Sequence, residues 1–285
     1  MVLASALLHA IWSATIKGTR SPAAFNAVQV VTQLAISLAL LPFWNPSDLS
    51  LAAWLFLAGT GVAHALYFWF LGNAFERVDL TLAYPIIRST PAFLPLFAVP
   101  LLGETLTGAG VAGIAVVVGG IWLVHAEQGL RRAFGVPGIG YAWLTLATGV
   151  AYSFADKAGV SALASGEWTG SLPPSLAWFS AAGLAAPIFY APIAWRLLPR
   201  EDLARAVKSD IPRAFGASFA SLIGYGLILQ AYTTAPASYV VAVRQTSVLF
   251  AVAIAMLFLG ERPSPRRIAG AAATVAGVAL IAWGG

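Results

Sequence analysis

The stretch Asp79–Glu104, DLTLAYPIIRSTPAFLPLFAVPLLGE, decides how the chain is read. It is long and apolar enough to span a bilayer, yet it carries Arg88 near its middle and prolines at Pro85, Pro91, Pro95 and Pro100. A charge at that depth costs roughly 2.5–3.5 kcal/mol on insertion scales, so such a residue faces a cavity or a partner rather than lipid. Each proline lacks an N–H and so frees a backbone carbonyl, which a membrane tolerates only where protein or a water-filled cavity satisfies it again.

The pattern returns 157 positions later. Ala74-Phe75 reappears as Ala231-Tyr232, Ser89-Thr90 as Thr246-Ser247, and Leu102-Gly103-Glu104 as Leu259-Gly260-Glu261. Gly113 and Gly120 reappear as Gly270 and Gly277, and Arg244 stands one place before the counterpart of Arg88. With a shorter offset, Trp12, Ser13 and Lys17 match Tyr152, Ser153 and Lys157. The chain therefore reads as a duplicated unit, residues 1–125 and 138–285, each half placing a cation inside the membrane.

Of 285 residues, 59% are hydrophobic and 9% charged, where a soluble domain averages about 25% charged. An integral membrane protein follows. The absence of cysteine excludes disulfides, thiol catalysis and thiolate metal sites. The opening run Met1–Ile16 lacks the basic region of a signal peptide and matches an internal segment, so it reads as a first membrane helix.

A helix needs roughly 18–25 apolar residues to cross about 30 Å of hydrocarbon, and about ten such runs can be counted. They lie near 1–17, 22–43, 51–75, 79–102, 106–125, 138–157, 174–197, 212–235, 237–259 and 264–283. Five helices per half is an odd number, so the two copies enter the membrane in opposite orientation. The expected fold is an all-α integral membrane protein, ten transmembrane helices arranged as two inverted five-helix repeats around a central cavity at mid-membrane. All basic residues except Lys157, Arg88 and Arg244 fall in loops or at helix ends on one side. That side is cytoplasmic by the positive-inside rule, which puts both termini outside. The net charge of +5 belongs to these loops and not to a nucleic-acid surface.

Several apolar helices carry a polar stripe, which belongs inside a bundle. His9, Trp12, Ser13 and Lys17 share one helical face. Asn26, Gln29 and Gln33 share another, and Thr148, Tyr152 and Asp156 a third. His64 and Tyr67 mark helix three, Ser218, Ser221 and Tyr225 mark helix eight, and Tyr239 and Arg244 mark helix nine. Trp12, His64, Tyr67, Tyr84, Arg88, Tyr152, Tyr225, Tyr239 and Arg244 are the expected substrate-binding residues. Each tyrosine or histidine has a plainer use, hydrogen bonding between helices. The arginines either meet helix-end acids and carbonyls or capture an anion, since a guanidinium fork matches carboxylate or phosphate. Asp156 beside Lys157 reads as a local ion pair at the outer rim. An unperturbed histidine changes charge near neutrality, so His9 or His64 is expected to make the protein's activity pH-dependent. No enzyme constellation, phosphate-cradling loop or metal motif is present, and no cofactor is expected.

Two five-helix halves ending in LLGE and FLGE, with Trp-Ser in the first helix and DLTLAYP in the fourth, resemble the drug/metabolite transporter superfamily with two EamA-type repeats. The resemblance implies an inverted-repeat bundle and secondary transport of metabolites by alternating access in a bacterial inner membrane. Some members export amino acids, aromatic ones included. The expectation is thus export of a small zwitterion or anion, an aromatic amino acid first, by a monomer in lipid. An organophosphate or phosphonate carrier and a lipid scramblase or flippase are the alternatives.

Overall fold

The computed structural model describes residues 1–17, 19–125, 135–166, 168–250, 253 and 264–284, with the side chains of all but 11–17, 80, 81 and 125. Among these residues all regular structure is helical. The helices are α1 (Val2–Lys17), α2 (Pro22–Leu40), α3 (Leu51–Arg77), α4 (Leu80–Ile87), α5 (Thr90–Phe93), α6 (Pro95–Leu102) and α7 (Gly108–His125) in the first half. The second half holds α8 (Ile139–Ala164), α9 (Pro174–Leu197), α10 (Arg200–Ser209), α11 (Ile211–Tyr232), α12 (Ala237–Arg244) and α13 (Pro265–Gly284).

Local chemistry sets the ends. Ser21 and Ser50 accept hydrogen bonds from Ala24 N and Ala53 N and so cap α2 and α3. Gly103 ends α6 in the left-handed conformation, φ 66°, which suits glycine. Six described helices are long and apolar enough to cross a membrane: 22–43, 51–77, 82–102 (α4 to α6 taken together), 174–197, 211–232 and 265–284. Residues 108–124 form a shorter apolar helix. Of the other expected spans, α1 is 16 residues long. α8 runs 26 residues, past the expected end at 157, because no breaker occurs before Ser165-Gly166. Most of 250–263 lies outside the described residues. The charged connection near 196–213 holds a surface helix, α10, with Glu201 and Asp202 in its first turn and Lys208 in its last, the order its dipole favours.

The fourth span is broken where its prolines require. Pro91 cannot donate to Ile87 O, and Thr90 Oγ1 does so instead at 3.2 Å. Ser89 Oγ donates to Pro85 O at 2.7 Å and accepts from Trp122 Nε1 at 2.9 Å. The chain turns at residues 88–89 and becomes helical again at 90. In the second half it turns at 245–246 and is helical over 247–250, the same interruption 157 residues on, although Val248 stands where Pro91 stood. There Thr246 Oγ1 donates to Val243 O and Gln245 Nε2 to Val241 O.

The two interruptions meet. Arg88, 8% exposed, donates from Nη1 to Gln245 Oε1 (3.4 Å) and Ser247 Oγ (3.2 Å), and from Nη2 to Tyr84 OH (2.7 Å). Its partner Gln245 occupies the position that repeats Arg88 itself. The glycines of α7 and α13 show the same symmetry. A Cβ on Gly113 would lie 2.7 Å from Gly277 O, and one on Gly120 would lie 2.7 Å from Gly270 O. The repeat exchanges these two contacts, so α7 and α13 cross antiparallel about a local two-fold axis.

This packing gives neighbouring glycines opposite behaviour. Gly120→Ala is expected to lower stability by about 1–3 kcal/mol through overpacking. Gly119→Ala, with nothing within 4 Å of its Cβ, should hold or raise it. Melting temperatures of the detergent-solubilised variants test this; equal values would show that the helices do not rely on the close approach.

Candidate functional site

The site grows from one buried carboxylate. Asp156 of α8 is 0% exposed. Its Oδ1 accepts from Thr60 Oγ1 of α3 (2.7 Å) and Trp178 Nε1 of α9 (2.8 Å), and its Oδ2 accepts from the Tyr225 hydroxyl of α11. Trp178 reaches it because Gly159, one turn along α8, has no side chain; a Cβ there would lie 2.0 Å from the indole. His64 Nε2 lies 3.9 Å from Oδ2, while its Nδ1 lies 3.0 Å from Thr60 Oγ1 and 3.1 Å from Thr60 O.

Aromatic rings cover this centre. His64 stacks on Tyr152 at 4.4 Å and 24°. Tyr67 meets Tyr152 edge-on at 5.2 Å, and Tyr225 stands edge-on to both His64 and Tyr152. The Arg244 guanidinium sits 5.2 Å above the Tyr225 ring, and its Nη2 lies 3.3 Å from His9 Nδ1. An arginine over an aromatic face is attracted by the ring quadrupole.

These groups line a cavity of about 110 Å³, with Ser5, Gln29, Gln33, Phe68, Phe179, Gly183, Pro187 and Ser221 completing the wall. At roughly 10–15 Å³ per water-sized centre, that is room for several waters or one small solute. Among the described residues Ser5 Oγ, Gln29 Oε1, Gln33 Nε2 and Arg244 Nε are buried without a hydrogen-bond partner. An unpaired buried polar group costs about 1–3 kcal/mol. All four belong to residues that line the cavity.

Of the residues expected from sequence, His9, His64, Tyr67, Tyr152, Tyr225 and Arg244 come together here. Trp12 lies outside the described side chains. Arg88 and Tyr84 do not line the cavity; they bind each other at the helix crossing. Tyr239 does not line it either. Its hydroxyl accepts from Thr107 N at 2.8 Å and fills the space beside Gly110. Asp156 is no rim ion pair with Lys157. It points inward, and Lys157 donates instead to Tyr232 O and Ala235 O, carbonyls at and just past the end of α11. Asp156 and His64 face each other although their helices are far apart in the chain. Trp178 and Phe179 were missed as well, and only the full burial of an indole N–H near a small residue would have signalled Trp178.

The LGE ending also acquires a role. Glu104 accepts from Ala237 N, from Ser238 N (3.3 Å) and from Ser238 Oγ (2.6 Å). A carboxylate thereby caps the first turn of α12, where the helix dipole favours an anion. The counterpart, Glu261, lies outside the described residues.

The model of the EamA-like transporter family matches residues 1–126 and again 134–283. The chain belongs to the EamA-like transporter family. This EamA-like chain is 30% identical over 208 residues to a protein of Streptantibioticus cattleyicolor named "Probable terminal-alkyne amino-acid exporter". The match takes in 69% of this chain, which spans 62% of the relative's length. A solved crystal structure is similar over 99% of this chain and 94% of its own, with a TM-score of 0.67 at 17% identity, a likeness of fold alone.

Removing the cap of this EamA-like protein should be felt in stability. Glu104→Ala leaves the Ala237 and Ser238 amides unpaired and is expected to cost about 1–2 kcal/mol. Ser238→Ala, which removes one bond, should cost less. Thermal unfolding followed by tryptophan emission measures both, and a Glu104→Ala protein that melts like the native one would refute the role.

Proposed function

We propose that this protein is a secondary transporter that carries a small zwitterion, with an aromatic amino acid as the preferred substrate, out of the cell by alternating access. The single supporting observation is the position of Arg244. It faces an aromatic-walled cavity with its Nε unpaired and, among the described residues, no carboxylate within 4.0 Å forms an ion pair with it. A substrate carboxylate would take that donor together with Gln33 Nε2. The substrate ammonium would meet Gln29 Oε1 and Ser5 Oγ, and its ring would lie among Tyr67, Phe68, Tyr152 and Phe179. The relative's printed name agrees with an amino-acid substrate.

The two halves, residues 1–125 and 138–285, act as inverted repeats that rock about the crossing of their interrupted helices. The protein works in a bacterial inner membrane, with both termini outside and the arginine-rich loops inside. The organophosphate or phosphonate reading asks for both arginines in the cavity and few aromatics. Here Arg88 is spent on Tyr84, Gln245 and Ser247, and aromatic side chains surround Arg244, which favours the amino acid.

Binding to purified protein tests this. Charge-assisted bonds to a carboxylate contribute roughly 1.5–3 kcal/mol, so Arg244→Ala should weaken L-phenylalanine about tenfold to a hundredfold. Arg244→Lys keeps the charge without the planar fork and should recover part of the loss. Phenylethylamine, which lacks the carboxylate, should bind native and Arg244→Ala proteins alike. Arg88→Ala should lower the melting temperature instead. Native affinity for L-phenylalanine in Arg244→Ala, or tighter binding of a phosphonate than of amino acids, would overturn the reading.

A further inference from the structure

The two oxygens of Asp156 are used differently. Oδ1 is held by Thr60 and Trp178, which are buried packing residues. Oδ2 faces the two cavity residues, Tyr225 and His64. His64 Nδ1 is engaged with Thr60, so Nε2 is the nitrogen turned toward the carboxylate. Without a proton on Nε2, a lone pair confronts Oδ2 at 3.9 Å and Tyr225 holds that oxygen. With a proton there, His64 becomes a cationic donor to the same oxygen.

We propose that Asp156 Oδ2 and His64 Nε2 form a proton-binding site, and that Tyr225 links this site to the substrate cavity. Histidine is the side chain whose charge changes in the physiological range. A protonated His64 drawn onto Oδ2 shares that oxygen with the Tyr225 hydroxyl and, by offsetting the carboxylate's charge, weakens the hydroxyl's bond to it. The Tyr225 ring carries the Arg244 guanidinium on its face, so a loosened hydroxyl shifts the bed on which the anion-binding group rests. Proton and substrate then act on one element from its two sides, which is what energetic coupling between sites requires.

Other ionisable groups facing Asp156 do not replace His64 in this role. Tyr67 of α3, Tyr152 of α8 and Tyr225 and Tyr232 of α11 are phenols. Lys157, next in sequence, is turned onto Tyr232 O and Ala235 O. Arg244 of α12 is held off by the Tyr225 ring, with His9 of α1 on its far side. Arg88 and Tyr84 of α4 and its end are occupied with each other.

The proton site does not depend on what the cavity carries; its effect on flux rests on the transporter reading. Two measurements separate them. Trp178 donates to Asp156, so its emission reports the carboxylate's surroundings, with Trp178→Phe identifying its share of the signal. In the ligand-free, detergent-solubilised full chain, this emission should show one step when pH is varied. The step should vanish in Asp156→Asn and in His64→Gln, and persist in Tyr225→Phe. In proteoliposomes, L-phenylalanine counterflow should vary with pH toward roughly tenfold per unit, the limit for one proton, and flatten to within about twofold in all three variants.

A native protein without the emission step, or a step that survives in folded Asp156→Asn and His64→Gln, overturns the proton site. A step lost as expected, with flux in Tyr225→Phe still following pH as in the native protein, overturns the link. If Asp156→Asn does not fold, His64→Gln and Tyr225→Phe retain the carboxylate and decide by the same criteria. Absence of native L-phenylalanine counterflow alongside an intact, variant-sensitive emission step counts against the amino-acid substrate and leaves the proton site standing.

Discussion

Two interrupted helices in a bilayer must have their loose backbone groups satisfied by protein, because hydrocarbon offers no hydrogen bonds. Here local side chains satisfy them, Ser89 and Thr90 in the first half and Gln245 and Thr246 in the second, and the two interruptions meet at a crossing. Arg88 spans that crossing to Gln245 and Ser247, and its own hydroxyl partner is Tyr84. Removing the guanidinium would take a donor from both Gln245 Oε1 and Ser247 Oγ inside the bundle. That makes the crossing the constraint around which the remaining helices arrange.

The same crossing explains why only one of two equivalent arginines serves the cavity. Arg88 and Arg244 are one residue out of register in the repeat. One residue turns a helix by about 100°, so two cations at nearly the same depth point in different directions. Arg88 is directed into the crossing and is consumed there. Arg244 is directed at Tyr225 and the cavity. A near-symmetric scaffold thus carries an asymmetric lining.

The joint between α11 and α12 is fastened from both ends. Lys157 neutralises the carbonyl end of α11, and Glu104 the amide end of α12. Each charge lies where a helix dipole favours it. The sequence places both residues near helix ends, and in the structure each serves the terminus of another helix. Among the described residues, Asp156, with His64 beside it, and Arg244 lie inside the bundle by the cavity, and the Tyr225 side chain touches the first through its hydroxyl and the second through its ring.

The sequence by itself determined the class of fold, because apolar run length answers directly to bilayer thickness and composition to solvent. The LGE endings, the paired glycines and the broken fourth helix were legible too, since a duplication preserves spacing along the chain. Helical spacing also identified His9, His64, Tyr67, Tyr152, Tyr225 and Arg244 as inward-facing, because one apolar helix has one polar face. What spacing on a single helix does not contain is which faces of different helices meet. Asp156 read as the neighbour of Lys157 because the two adjoin in sequence, while its actual partners, Thr60, Trp178, Tyr225 and His64, come from three other helices. Tyr239 and Arg88 read as cavity residues on polarity alone, and the packing of α7 and α12 directed them elsewhere. Only the tertiary structure decided those partnerships, since a buried polar group is assigned by whichever donor the neighbouring helices bring within about 3 Å.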